Sequence, residues 1–172
     1  MDLNEYKRYV RTLAAKRDGQ PFYNASMDHA SVVIESLFAI ANERIDVLTG
    51  SFNPRVYGRE AVIEEAKLFL ATSSGNRLRV ILETDSATDR EYHPLFRACA
   101  HFPSLEVRTA PKDVKEQYGF HCVLVDDDSY RFESDKEAPS AVAAFGDPDS
   151  AARLDKAFSM IWNRCTRVDV SG

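Results

Sequence analysis

Cysteine is scarce and badly placed for chemistry in this sequence. Cys99, Cys122 and Cys165 are the three in 172 residues. The number is odd, no two form a C-x-x-C pair, and no cysteine–histidine cluster has zinc spacing. That excludes a disulfide framework and a zinc ribbon. It leaves three small apolar residues in a reducing cytosol. Long apolar runs are also missing: none approaches the roughly 18–20 residues of a membrane span. Basic surplus is missing as well. Lys and Arg number 22 against 27 Asp and Glu, for a net charge of −5. Broad, sequence-independent nucleic-acid binding needs a basic face, so this balance does not favour it, although a local basic groove is allowed. No glycine-rich phosphate loop occurs: Gly50 and Gly58 in GSFNPRVYG fit neither G-x-G-x-x-G nor G-x4-G-K-[ST]. The first residues, MDLNEYKRYVRTLAAKRDG, are polar rather than apolar, so a signal peptide is not expected and a cytoplasmic location is.

What is present is an ordinary globular balance, 44% hydrophobic and 28% charged, in a length suited to one domain spanning 1–172. Leu3, Tyr6, Val10, Leu13 and Ala14 recur at helical spacing and predict an amphipathic helix over 3–17, stopped by Gly19-Gln20-Pro21. A broader apolar helix is expected over 28–42, capped by Ser26 or Asp28. Strands follow at 44–49, 77–83, 105–109, 119–126, 129–133 and 140–145. Helices are expected at 59–72, 93–101 and 148–164, with polar loops at TDSATDREY and PKDVKEQYG. Helix and strand alternate through the first two thirds. The fold class expected is therefore α/β, a mixed, mainly parallel sheet with helices on both faces. No repeat, low-complexity stretch or linker interrupts it.

Several residues carry possible chemistry. His121 heads the hairpin GFHCVLVDDDSYRFES, whose turn is Asp126, Asp127 and Asp128. Aspartate favours turns, and adjacent side chains on extended backbone point apart, so a turn outweighs a metal site there. The loop SFNPRVYGRE follows a strand end, where open α/β sheets bind ligands. Arg55, Tyr57 and Arg59 would there face a small anion, a protein partner or solvent. His29 stands at a helix start and would join His121 if the chain brings them together. His93 leads into a helix and His101 ends one. The helix over 3–17 carries Lys7, Arg8, Arg11, Lys16 and Arg17 opposite its apolar stripe, which suits packing on this domain or on a second subunit better than a membrane.

The order of pieces resembles one half of a phospholipase D-like protein. That superfamily has a strand with H-x-K-x4-D, a Gly-Ser or Asn segment, a further strand, an Asp-Pro turn, and a helix ending Phe-x3-Trp. Here the ending is Asp147-Pro148 and Phe158 to Trp162. ASVVIESLFAIANERIDVLTG, RLRVILE and LEVRT are similar to the family's earlier helix and strands, so the resemblance covers about residues 25–165. Three departures stand out. The lysine position holds Val123, the polar segment is Arg131-Phe132-Glu133-Ser134, and the family's glutamate falls near Ser140. The aspartate position is met by Asp128, or by Asp126 if the turn is aligned differently.

In the family the histidine attacks phosphorus and lysines hold the phosphate oxygens. With the lysine gone, the resemblance implies a catalytically degenerate binding or regulatory module. It would act with a protein partner or as a homodimer, in a multi-protein system such as a bacterial defence cassette. The alternative it implies is a phosphodiesterase or nuclease that uses His121 and Asp128 across a homodimer, with Arg131 or Arg55 replacing the lysine. Ligand or partner contacts would be Arg55, Tyr57, Arg59, Arg131 and His29. No cofactor, metal or membrane is called for.

Overall fold

The computed structural model describes residues 1–138 and 140–170. In chain order the elements are α1 (Leu3–Lys16), β1 (Phe22–Asn24), α2 (Met27–Ile40), β2 (Arg44–Thr49), α3 (Pro54–Tyr57), α4 (Glu60–Thr72), β3 (Arg77–Leu82) and α5 (Ala87–Tyr92). There follow α6 (Pro94–Cys99), β4 (Leu105–Thr109), α7 (Lys112–Gln117), β5 (His121–Val125), β6 (Ser129–Glu133), β7 (Ala141–Phe145), α8 (Pro148–Trp162) and β8 (Thr166–Val168). The strands form one sheet in the order β1-β7-β6-β5-β2-β3-β4-β8.

The α/β class and the helices on both faces agree with the sequence reading. The expected mainly parallel sheet does not. Among the described residues, β2–β3 and β3–β4 pair in parallel, and the other five pairings are antiparallel. The reason lies in the connections. Helical crossovers join β2 to β3 and β3 to β4, and a crossover of that kind returns the chain in the same direction. After β4 the chain reverses and adds β5, β6 and β7 as neighbouring antiparallel strands. Short β1 and β8 then close the two edges.

The pleat sends alternate residues to two cores. Ile45 and Val47 of β2, with Val123 and Val125 of β5, pack under α1, α2, α4 and α6 together with Ile34, Leu37, Phe38, Phe52 and Phe96. Leu48, Ile81, Cys122 and Leu124 face the opposite side, under Phe158, Ile161 and Trp162 of α8. Asp46 points to that second side and is fully buried. Arg79 holds it with two hydrogen bonds, Nε to Oδ1 at 2.6 Å and Nη2 to Oδ2 at 2.8 Å. Burial pushes the Asp46 carboxyl up, and the Arg79 bonds oppose that. Arg79 also stacks under Phe158 and Trp162 at 5.1 and 5.0 Å, and Arg108 under Trp162 at 4.1 Å. The Phe-x3-Trp ending of α8 is therefore a cation–π seat on the sheet.

Helix starts follow their caps. The Asp2 carboxylate accepts from the Glu5 N–H, and the Glu5 side chain accepts from the Asp2 N–H. Ser26 caps α2 by accepting from the His29 N–H. Tyr6, Val10, Leu13 and Ala14 of α1 are buried on α2, as their spacing predicts. The end of α1 is then tied to the β5–β6 turn and to the end of β7. Arg17 donates to both oxygens of Asp128 at 2.7 and 2.8 Å, and the Gly19 N–H bonds the Phe145 carbonyl at 2.9 Å. Gly146 takes φ +83°, and a Cβ there would lie 2.2 Å from the Arg17 carbonyl oxygen, so only glycine fits.

Candidate functional site

His121 is the first residue of β5 and shares a sheet face with Val123 and Val125. In the antiparallel register with β6, His121 stands opposite Glu133, and Val123 opposite Arg131. Cross-strand partners lie on the same face. Arg131 therefore projects its guanidinium on the face where Val123 offers only methyl groups. A cleft of about 370 Å³ opens above these residues. Its other walls are the start of α2 (Ser26, Met27, Ala30), the end of β2 with its loop (Thr49, Gly50, Ser51), Tyr57 of α3, and Lys136 of the segment after β6.

The charged side chains form a continuous row. Lys136 Nζ donates to Glu83 Oε1 at 2.5 Å. His121 Nε2 donates to Glu83 Oε2 at 3.0 Å. His121 Nδ1 lies 3.4 Å from Glu133 Oε2. The other Glu133 oxygen accepts from Arg131 Nη1. Arg131 Nε donates to Asn24 Oδ1 at 3.0 Å, and Asn24 Nδ2 reaches the Ala141 carbonyl at 3.4 Å. Cation and anion alternate along the row, which is why so many charges tolerate so little water.

The row sets its own protonation. Burial would lower the pKa of His121, but its contacts with Glu133 and Glu83 outweigh burial and raise it above the ordinary imidazole value. Burial would raise Glu83 and Glu133. His121 and Lys136 at Glu83, and His121 and Arg131 at Glu133, outweigh it and lower both carboxyls. Each ring nitrogen of His121 is aimed at a carboxylate, an arrangement that favours the protonated ring.

The structure brings together three of the residues expected at the site: His121, Arg131 and Tyr57. Tyr57 is buried, stacks on Phe52 at 4.2 Å, and has its phenol pushed up by burial. The other four lie elsewhere. Arg55 is exposed on α3 and outside the cleft wall. Arg59 bonds the Asp28 carboxylate and, through Nε, the Arg55 carbonyl at 2.7 Å. His29 stacks on Tyr6 at 3.8 Å. Asp128 sits at the turn end of the hairpin, with β5 between it and His121, and is bound to Arg17.

The three aspartates build that turn. Asp126 takes φ +51° and accepts from the N–H groups of Asn42, Glu43 and Arg44 at 3.0, 2.9 and 3.0 Å. Asp127 is exposed beside Arg44. Among the described residues, no group of three or more His, Cys, Asp or Glu side chains converges to hold a metal ion.

Glu83, Glu133, Lys136 and Asn24 belong to the site but were not singled out from sequence. Glu133 had a signal. A three-residue turn at 126–128 fixes the hairpin register, and that register sets Glu133 opposite His121. Glu83, Lys136 and Asn24 come from distant elements and carry no local signal.

The model of a family described as a domain of unknown function, DUF7931, matches residues 26–169. No curated protein matches the sequence. Among solved structures, the chain is similar to Nuc, a phospholipase D family member from Salmonella typhimurium. The TM-score is 0.59 at 16% identity, over 87% of this chain and 99% of that one. It is similar to NucT from Helicobacter pylori, with TM-score 0.61 at 14% identity, over 88% and 100%. It is also similar to TrmBL2, an archaeal chromatin protein whose structure shows a novel mode of DNA binding. There the TM-score is 0.63 at 14% identity, over 96% of this chain. The match spans 61% of TrmBL2, less than two thirds of its length.

Proposed function

The chain belongs to the DUF7931 family and carries a phospholipase D-like fold, and from that premise we propose that it is a catalytically degenerate phospholipase D-like domain serving as a binding or regulatory module. One observation carries the reading: both ring nitrogens of His121 face carboxylates. A nucleophile needs a lone pair free to reach phosphorus, and a ring whose two nitrogens both face carboxylates presents none. The residue opposite Arg131 is a valine, so β5 supplies no amine to hold the phosphate oxygens. The cleft nevertheless keeps its cations and an aromatic wall, which suit an anionic group on a ligand or on a partner protein. On this reading residues 1–172 act as one cytoplasmic domain, paired with a second copy or with another protein of a multi-component system such as a defence cassette.

A second reading, a phosphodiesterase or nuclease sharing His121 across a homodimer, is favoured by the position of Arg131 opposite Val123. Arginine is a competent phosphate clamp. This reading requires one nitrogen of His121 to be released from its carboxylate.

Hydrolysis separates the two. Bis(4-nitrophenyl) phosphate, single-stranded DNA and single-stranded RNA are incubated with wild type and with His121→Ala, with divalent metal and with chelator. The expected result is turnover no faster than buffer for both proteins. Turnover by wild type that disappears in a folded His121→Ala makes His121 a nucleophile and overturns the binding-module reading.

A further inference from the structure

Lys136 is the cleft cation that no motif foretells. It lies on segment 134–138 between β6 and β7. The segment is a compact turn in which the Asp135 carboxylate accepts from the Glu137 N–H at 2.9 Å and the Asp135 carbonyl accepts from the Ala138 N–H at 3.2 Å. The Lys136 ammonium donates to Glu83 Oε1 at 2.5 Å and to the Lys115 carbonyl at 3.1 Å. Lys136 lines the cleft, and Glu83 stands behind it. The second oxygen of Glu83 holds His121. A single carboxylate therefore restrains two of the three cationic groups at the cleft. The third, Arg131, is restrained by Glu133 and Asn24. Glu137 lines the cleft beside Lys136, so the cleft's cations are closely matched by carboxylates, and an anion must compete with them for Lys136.

We propose that Lys136 is the cleft's second anion-binding cation, after Arg131, and that Glu83 is its built-in competitor, so that an anion entering the cleft takes Lys136 from Glu83. This rests on the reading of the cleft as a binding site. The partners differ in freedom. Glu83 is fixed at the end of β3, where its N–H bonds the Thr49 and Gly50 carbonyls at 3.0 and 3.1 Å. Lysine is a compact charge on a four-carbon stem and re-aims without backbone movement. Its ammonium has three protons, and Glu83 and Lys115 take two. The third is available to an anion before Glu83 is released. A strand-borne lysine at position 123 would be permanently presented. A lysine from a loop, held back by a buried carboxylate, is presented only on demand.

Sulfate is the probe, because its charge is constant near neutral pH. It is titrated into the full chain near pH 6 and followed by amide NMR. Shifts confined to residues 49–51 and 121–123 place sulfate in the cleft. Lys136→Gln is expected to weaken that binding roughly tenfold, as loss of a charge-assisted contact does. Lys136→Arg is expected to restore most of it. Glu83→Gln, which is isosteric, is expected to tighten binding several-fold. Should that variant fold poorly, the two Lys136 variants decide the case alone. Sulfate shifts in the cleft with affinity unchanged by Lys136→Gln overturn this inference and leave the cleft reading standing. Absence of shifts in the cleft for wild type overturns both.

Discussion

His93 and His121 both sit in from the surface, and burial alone would lower the pKa of each. Only their partners differ. His93 Nε2 donates to the Phe52 carbonyl at 2.8 Å, while Nδ1 accepts from the Leu95 N–H at 3.2 Å and so caps α6. That pattern needs the neutral ring, and burial holds His93 below the ordinary 6.5. His121 meets two carboxylates and is held above 6.5. The signs follow by linkage. The His121 contribution to stability is whole below 6.5 and is lost as pH rises through its folded value. Those of Glu83 and Glu133 are whole above 4.5 and are lost as pH falls through their lowered folded values. The row is therefore complete between 4.5 and 6.5. His93 works the other way: its contribution is whole above 6.5 and is lost as pH falls through its folded value. An NMR titration of the ring protons is expected to place His121 above 6.5 and His93 below it. Glu133→Gln should bring His121 down and leave His93 where it was. A His121 midpoint at or below 6.5 would sink the account of the row.

At the scale of elements, the hairpin β5–β6 is anchored by its turn as much as by its ladder. Asp126 collects the N–H groups of Asn42 and Glu43 in the loop before β2 and of Arg44 at its start, and its own N–H bonds the Arg44 carbonyl at 2.9 Å. This ties β5 to β2 at the end opposite His121. Asp126→Ala loses those bonds and places alanine at a positive φ, so it should cost about 2 kcal/mol. Asp126→Asn keeps one acceptor and tolerates that backbone, so it should cost less. Urea unfolding with an unchanged m-value would show it, and an alanine variant as stable as wild type would refute it. The same hairpin shows what a sequence discloses. The strands and long helices carry apolar periodicity, and their bounds fell within a few residues of expectation. α5 buries no residue and α7 only Val114, so neither writes a periodic pattern. β1 and β8 are three residues each, too short for alternation to register. The Glu83–His121 and Glu83–Lys136 contacts span 38 and 53 residues, and no local rule reaches that far.

For the molecule as a whole, charge decides more than fold likeness. The fold is similar to that of a DNA-binding chromatin protein at 14% identity, but this chain carries a net charge of −5. Non-specific duplex binding rests on phosphate neutralisation by basic residues and weakens steeply with salt. The basic side of α1 is partly spent, since Lys7 and Arg11 pair with Glu35 at 2.8 and 3.2 Å and Arg17 with Asp128. A random-sequence duplex is expected to show no mobility shift with this protein at about 0.15 M salt, where the Debye length is about 8 Å. A shift at micromolar protein would revive a nucleic-acid role.

The contacts at the end of α1 reach beyond the span that the family model matches. Family likeness starts at residue 26, and α1 and β1 precede it. Yet Asn24 braces Arg131, Arg17 secures the hairpin turn, and Gly146 is shaped around the Arg17 carbonyl. Residues 17 and 24 thus act as a keystone set from outside the family-matched arch. Trimmed to the likeness, the chain would keep its cleft residues and lose the masonry that aims them.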